Sequence, residues 1–489
     1  MTALENWFGK FRNNTIGNNF LHSTPNGEKQ LIYADWIASG RLYAPIEDKI
    51  TKLIGPFVAN THTESSTTGT YMTSAYHEAK HIIKKHVNAN EDDVLITPGF
   101  GMTSAIVKLQ RIIGLKVCGK LLGKECLDNP NKPVVFITHM EHHSNHTSWY
   151  ETIADVEIIK PNKELLVDLD DLRNKLNKYK DRKLKIGSFT ACSNVTGVHT
   201  PYHEMAKIMH QNGGYCFIDF AASAPYENID MHPIDPDQSL DAIFFSPHKF
   251  LGGPGSSGVL IFNKSLYNSK SPDQPGGGTV EWTNPWGEYQ YFKDIEARED
   301  GGTPGFLQCI RTALAILLKD EMTVQKIEQR EKELLKIAFT KLEKIQNLKI
   351  LADNIHERLG VISFYVMGLH YNLIVKLLSD KYGIQVRGGC ACAGTYGHYL
   401  LDVSHEKSNL ITSKITSGDL SEKPGWVRLS LHPTMTDNEL NFILDAITDI
   451  ASNHSNMVED YDYNVHTNEF HHKTKNIDSQ NFINQIFYE

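Results

Sequence analysis

Short apolar runs that stop abruptly in polar or glycine-rich segments constrain this chain more than any other feature. They are Val94–Thr97, Val134–Thr138, Lys185–Thr190, Cys216–Asp219, Ala242–Phe245 and Val259–Phe262. Between some of them lie helical patterns, such as Ile106, Leu109, Ile112 and Ile113 at three- and four-residue spacing. Strands that are apolar throughout, rather than on alternate residues, are strands buried on both faces. Alternating with helices, they predict an α/β fold with a mostly parallel sheet covered on both sides. Ligands of such sheets sit beyond the carboxyl ends of the strands, and the chemically unusual residues of this chain follow the runs.

At 489 residues the chain exceeds one simple core, so two domains are expected. From Leu307 to about Leu348 the pattern is long and helical, with Ile310, Leu314, Leu317 and Leu318 on one stripe. It reads as the bridge between a large domain over 34–317 and a small one over 318–452. Residues 402–425 read as a polar surface insertion, and 453–489 as a polar tail rich in Asn and His. A net charge of -9 argues against a nucleic-acid partner, which selects for a basic face. The seven cysteines are too sparse for a disulfide framework and favour a reducing compartment, hence a cytoplasmic location. The start shows no apolar signal core, and no run of about 18 apolar residues suggests a membrane span.

The segment Ser246-Pro-His-Lys-Phe-Leu-Gly-Gly-Pro-Gly255 places Lys249 at the end of an apolar run. A lysine held in such a pocket loses hydration, its pKa falls, and its free amine can form a Schiff base with an aldehyde cofactor. Taken alone, the segment fits a surface turn with a solvated lysine as well. Gly99-Phe-Gly-Met-Thr-Ser104 follows a strand and opens a helix; its amides and the Thr103 hydroxyl would cup a phosphate. A helix cap without a ligand is an equal reading. Asp219 ends its run and needs a cationic partner, such as a protonated pyridine nitrogen, or else caps the next helix. His139, His142, His143 and His146 invite a metal reading, but no cysteine or H-E-x-x-H pattern accompanies them, so no metal is expected. The better reading is one flat imidazole, His142, stacked on an aromatic cofactor.

Val386-Arg-Gly-Gly-Cys-Ala-Cys-Ala-Gly394 puts two thiols in a glycine-bracketed loop beside Arg387, whose charge favours thiolate. A small-residue turn with inert thiols is the alternative. Arg428, with apolar neighbours on both sides, suits a bidentate clamp on a carboxylate.

Together and in this order, these motifs resemble the class V aminotransferase family of pyridoxal 5'-phosphate (PLP) enzymes, in particular the cysteine desulfurase and selenocysteine lyase group. The resemblance runs from about Tyr33 to Ile450 and includes the Glu-His-His-Ser-Asn and Ser-Asn-Val-Thr-Gly segments. It implies the PLP-dependent transferase fold of type I: a large domain, a small α+β C-terminal domain, and an arm, 1–33, packing with the small domain. It implies that Lys249 carries the cofactor, His142 stacks on its ring and shuttles protons, and Asp219 pairs with the ring nitrogen. Met102, Thr103, Ser246 and His248 would hold the phosphate, joined by Thr303 from the partner subunit of a homodimer. Asn194 would lie near the cofactor oxygen and the substrate, Arg428 would bind the substrate carboxylate, and Cys392 would accept sulfur.

Two departures stand out. Ala222 occupies the place of the family's usual glutamine, so Asn194 or Ser223 would serve the cofactor oxygen. Cys390 stands where close relatives have histidine; a Cys-x-Cys here is similar to that of the sulfurase domain acting on molybdenum cofactor. The expected reaction is desulfuration of L-cysteine to alanine and an enzyme persulfide, with a possible sulfur-acceptor protein downstream. Transamination, epimerisation or lyase chemistry on another amino acid is the alternative on the same scaffold. A PLP-binding interaction protein without turnover is the non-enzymatic one.

Overall fold

The computed structural model describes residues 2–117, 131–475 and 479–489. The chain forms two compact units, one of residues 14–16 and 37–328, the other of 1–13, 17–36 and 329–489.

The larger unit is built on a seven-stranded sheet. Its strands in chain order are β1 (Asp93–Ile96), β2 (Val134–Thr138), β3 (Asp155–Ile159), β4 (Lys185–Thr190), β5 (Tyr215–Asp219), β6 (Ala242–Phe245) and β7 (Val259–Asn263). They lie in the order β1-β7-β6-β5-β4-β2-β3. The pairs β2/β3, β2/β4, β4/β5 and β5/β6 are parallel; β7 runs antiparallel to both β1 and β6. Alternate residues of each strand share one core cluster: Val94 and Ile96, Val135 and Ile137, Ala242 and Phe244, Leu260 and Phe262 pack with Ile106, Leu109 and Trp149. The intervening residues Leu95, Phe136, Ile243, Phe245 and Ile261 are buried on the opposite face. Burial on both faces is what made these strands apolar without alternation.

β3 is the one strand of this sheet that the apolar runs do not reveal. It lies at the sheet's edge and is only half-buried. Its Glu157 accepts hydrogen bonds from Lys178 Nζ at 2.7 Å and Tyr179 Oη at 2.6 Å. The expected helical bridge is two helices, Phe306–Met322 and Val324–Leu342, broken at Thr323, whose φ is 61°. Leu317, expected on the buried stripe, is 45% exposed; the buried face runs through Cys309, Ile310, Ala313 and Ile316.

The smaller unit carries a four-stranded antiparallel sheet of β8 (Leu348–Ile350), β9 (Val361–Val366), β10 (Arg387–Gly389) and β11 (Trp426–Ser430), in the order β8-β9-β11-β10. Helices Tyr371–Tyr382 and Asp437–Asn453 supply Leu373, Leu377, Ile443 and Ile447 to its core. The N-terminal strand Ile32–Tyr33 pairs with Ile384–Gln385. The tail forms a hairpin of Tyr461–Asn464 and Glu469–His472. Asn468 at its turn donates to Tyr371 Oη at 2.7 Å, and its own carbonyl accepts from Asn372 Nδ2 at 2.5 Å. The insertion joins the hairpin where the Leu420 N–H meets the Val465 carbonyl at 2.9 Å.

Cys118 and Cys126 lie outside the described residues; Cys192, Cys216, Cys309, Cys390 and Cys392 are free thiols. Among the described residues, no helix is long and apolar enough to cross a membrane.

Candidate active site

In the larger unit the expected residues gather at the carboxyl ends of the parallel strands. Asp219 is the last residue of β5 and only 3% exposed. Its Oδ1 accepts from the Ala221 N–H at 2.8 Å. Burial pushes its carboxyl up to about 6, against the Ala221 N–H and the positive charge of Lys249, which pull it down. Lys249 therefore stands within electrostatic reach of Asp219. It sits in a single 3-10 turn, Pro247–Lys249, directly after β6. That turn is pinned from outside, since the His248 carbonyl accepts from the Gly40 N–H at 2.9 Å.

Ser246, buried at the end of β6, accepts from the Met102 N–H through Oγ at 2.9 Å. Met102 opens the helix Met102–Ile112, so Ser246 marks the positive end of that helix. His248 Nδ1 lies 3.1 Å from the Phe100 carbonyl on the same loop. Burial and then the Lys249 charge lower the His248 pKa, which the Phe100 and Ala38 carbonyls partly restore. Two glycines make this cluster possible. A β-carbon at Gly101 would sit 3.2 Å from Ser246 Oγ and 3.4 Å from the His248 ring. One at Gly258 would lie 2.5 Å from the Gly101 carbonyl oxygen, too close for any other residue.

His142 follows β2 and caps the helix His143–Tyr150, with Nδ1 accepting from the Ser144 N–H at 3.2 Å. That bond places the ring proton on Nε2. Thr103 Oγ1 is 2.6 Å from Ser144 Oγ, which is 3.2 Å from His142 Nδ1. The hydroxyl expected on the phosphate and the imidazole expected on the ring thus share one serine. Asn194 lies in the turn after β4, 8% exposed, where Ser193 Oγ accepts from the Val195 and Thr196 N–H groups. Ser223 is fully buried and its hydroxyl has no hydrogen-bond partner among the described residues. Thr303 is exposed on the loop before helix Phe306–Met322, a loop held where the Gly302 N–H meets the Gly277 carbonyl at 2.8 Å.

Two groups here escaped the sequence reading. Glu141 is buried behind His142 and accepts from the Thr138 N–H (3.1 Å) and hydroxyl (2.7 Å), the Thr190 N–H (3.0 Å) and Asn145 Nδ2 (2.7 Å). It ties the ends of β2 and β4 to the helix that His142 caps. Burial pushes its carboxyl up to about 8, although these four donors all favour the charged form. Lys319 is a second buried amine, pushed down to about 7 by desolvation. Its donors reach the carbonyls of Ala224 (2.7 Å) and Glu227 and His86 Nε2 (3.3 Å). Three acceptors occupy all three of its N–H bonds, which marks a structural lysine. Lys319 lies in no motif, and Glu141, although it opens the Glu-His-His-Ser-Asn segment, takes this role only through donors that the fold gathers round it.

These residues fit PLP. Asp219 is a carboxylate in need of a buried cation, such as a pyridinium. The helix N-terminus with Ser246, His248 and Thr103 suits a phosphate. Ser223 Oγ is an orphaned polar atom one residue past the place of the missing glutamine. Among the described residues, no group of three or more His, Cys, Asp or Glu is placed to hold a metal. His139 is instead buried, with Nε2 at 3.2 Å from the Leu165 carbonyl and its pKa lowered to about 4.

In the smaller unit, β10 and β11 pair so that Arg387 stands directly opposite Arg428. Like charges facing each other across strands repel. Asp35 answers both: Oδ1 accepts from Arg428 Nη2 at 2.8 Å, Oδ2 from Arg387 Nε at 3.0 Å. Arg428 is 4% exposed. Burial lowers its pKa, Asp35 raises it, Arg387 lowers it and the charge of Cys392 raises it. Two guanidinium groups against one carboxylate leave a net positive charge, suited to a further carboxylate. Cys392, exposed on the loop after β10, lies within electrostatic reach of this cluster. Cys390 is half-buried and lies within electrostatic reach of Tyr371. Tyr371 packs under the strand pair that carries the loop: a β-carbon at Gly425 would lie 2.6 Å from its ring. The Asp35 partnership had no signal in the sequence, because 352 residues separate it from Arg387.

A family model described as "Aminotransferase class-V" matches residues 32–443. Among curated proteins, a "Probable cysteine desulfurase" of Halalkalibacterium halodurans is 27% identical over 367 residues, 74% of this chain and 84% of that one. One of Staphylococcus epidermidis is 28% identical over 370 residues, 75% and 84% of the two chains. Among solved structures, an apo cysteine desulfurase from Thermococcus onnurineus matches with a TM-score of 0.72 and 23% identity, over 91% of this chain and 98% of that one. The cysteine desulfurase CsdA from Escherichia coli matches at 0.69 with 20% identity, over the same shares of the two chains.

Proposed function

The chain belongs to the class V aminotransferase family, with the type I fold of PLP-dependent transferases, and on that premise we propose that it is a cysteine desulfurase. The observation that carries the reading is the exposed Cys392 thiol within reach of the Arg428–Arg387–Asp35 cluster. It joins a nucleophile to a site for an amino-acid carboxylate. PLP, when bound, supplies an aldehyde for the substrate's amine and an electron sink for its carbon framework. Lys249 would be the covalent anchor, Asp219 the partner of the ring nitrogen, and His142 the ring's stacking partner. The Met102 amide with Thr103, Ser246 and His248 would hold the phosphate, and Asn194, with Ser223, the ring oxygen. Thr303 would serve the phosphate of a second subunit, which makes the working unit a homodimer.

Within this frame, Arg428 holds the substrate carboxylate in a fork that Asp35 keeps oriented. The Lys249 amine and His142 Nε2 move protons at the substrate. Cys392 Sγ attacks the substrate sulfur; the C–S bond breaks, alanine leaves, and the sulfur stays on Cys392 as a persulfide. The arginine cluster sets a positive charge near the sulfur that makes this attack. A reductant or a sulfur-acceptor protein then removes the sulfur.

The test is to supply the PLP-loaded protein with L-cysteine and a thiol reductant and to assay sulfide and alanine together. Equimolar sulfide and alanine are expected. A keto acid without sulfide would replace the reading with transamination. Cofactor absorbance without turnover of any amino acid would make the protein a PLP-binding interaction partner.

A further inference from the structure

Residues 390–393 close on themselves: the Ala393 N–H donates to the Cys390 carbonyl at 3.1 Å. The two central residues are both left-handed, Ala391 with φ 50° and Cys392 with φ 56°. Positive φ at both central positions is the signature of a type I′ turn, which Gly, Asn and Asp favour. Here both positions carry a β-carbon, so the loop is held in a form its own residues disfavour. What the form achieves is proximity. A curl of helical pitch brings Cα atoms two residues apart to about 5.5 Å, within the roughly 4.4–6.8 Å that a disulfide spans. In an extended strand the same atoms would stand about 6.6 Å apart, at the edge of that range.

The two thiols also differ in surroundings. Cys392 is exposed and electrostatically coupled to Arg428; Cys390 is half-buried and coupled to Tyr371. Cys392 is thus the thiol open to solvent, and Cys390 the partly covered one two residues before it.

We propose that Cys390 is a resolving thiol, which releases the sulfur carried by Cys392 as sulfide and leaves a Cys390–Cys392 disulfide. The proposal rests on the desulfurase reading. The Cys390 thiolate attacks Cys392 Sγ in the persulfide. The bond from Sγ to the outer sulfur breaks with its electron pair going to that sulfur, which leaves as hydrosulfide; a new bond joins the two cysteine sulfurs. The outer sulfur is reduced, and the two thiols are oxidised by the same two electrons. Hydrosulfide is the better leaving group because its conjugate acid is stronger than an alkyl thiol. A small thiol or dithiol reductant, of the same class as in the turnover assay, reopens the disulfide before the next cycle. Sulfide release therefore needs no protein acceptor.

The experiment uses full-length PLP-loaded protein, one equivalent of L-cysteine per protomer and no reductant. Alanine and free sulfide are measured, then thiols are alkylated and the loop peptide is weighed without reduction. The wild type is expected to give equal alanine and sulfide, and an unalkylated peptide lighter by two hydrogens. Cys390→Ser is expected to form alanine once, retain one extra sulfur on Cys392, and release sulfide only when reductant is added. Wild-type protein that forms alanine yet keeps a persulfidated Cys392 beside an alkylatable Cys390 would overturn the proposal alone. No alanine from either protein would overturn the desulfurase reading beneath it. A second arm is independent of the cofactor. Peroxide-treated apoprotein is expected to give the same cross-linked peptide; oxidised Cys392 with Cys390 still alkylatable would overturn the geometry.

Discussion

Replacing Asp219 by asparagine should stabilise the cofactor-free protein while disabling it. The aspartate is fully buried, and burial carries its carboxyl from an ordinary 3.8 to about 6. A displacement of that size corresponds to about 3 kcal/mol between the two protonation states. The sign follows from which state binds the proton more tightly. The folded protein holds it up to about pH 6, the unfolded chain only up to about 4. Stability is therefore lost as pH rises between those values, and the full cost is present at neutral pH. Asparagine is isosteric and uncharged. Its Oδ1 can keep the Ala221 N–H bond of 2.8 Å, but its amide adds a buried donor that costs about 1 kcal/mol. The net gain for the apoprotein at pH 7 is about 2 kcal/mol, a rise in melting midpoint on the order of 2 °C for a chain of this length. The assay is thermal melting of apo wild type and Asp219→Asn from pH 4 to 7.5. The gap should be small near pH 4, open through pH 6 and then level off. With PLP added, the order should reverse, because the wild type gains binding energy that the variant lacks. A variant less stable than wild type at pH 7 without PLP, or a gap independent of pH, would refute the reasoning.

Arg428→Lys keeps the charge but loses the planar fork, so KM for L-cysteine should rise by roughly tenfold or more while cofactor absorbance survives; loss of PLP instead would mark Arg428 as structural. Asn468→Ala removes the partner of Tyr371 Oη and of Tyr463 Oη. It should cost about 1–3 kcal/mol in urea unfolding and change the rate at which iodoacetamide labels Cys390; an unchanged stability and rate would deny that the tail supports the loop. Mixing Thr303→Ala and Lys249→Ala chains should restore activity if Thr303 acts on its partner's phosphate. In the mixed dimer one site then carries both lesions and the other carries none; no recovery would place Thr303 in its own subunit's site.

The strands that build the site were legible because burial on both faces leaves an unbroken apolar signature. β3 was not, since an edge strand keeps polar residues such as Asp155 and Glu157 for solvent and helix contacts. The residues proposed to hold the cofactor stand out in the sequence for a related reason. Lys249, Asp219 and Thr103 each follow an apolar run, where the end of a buried strand leaves a polar side chain few places to go. Asp35, Glu141 and Asn468 were not legible. Asp35 and Asn468 act through partners distant in the chain, which leave no periodicity or motif. Glu141, although it opens the Glu-His-His-Ser-Asn segment, is given its role by the hydroxyl, amide and backbone donors that the fold gathers round it. The helical bridge was misread at Leu317 because a stripe of leucines predicts which residues are apolar; the break at Thr323 and the packing around it decide which are covered.

Lys249 is the residue on which the account turns, and Lys319 is its natural rival. Lys319 is the amine pushed down to about 7, and desolvation alone would choose it. The geometry rejects it, because carbonyls and His86 occupy its donors, while Lys249 stands at the strand end within reach of Asp219. Borohydride reduction of the PLP-loaded protein, followed by peptide mapping, separates the two. The account predicts a pyridoxyl group on the peptide carrying Lys249 and its loss in Lys249→Ala. A pyridoxyl group on Lys319 or any other lysine, or none on the protein, would contradict it.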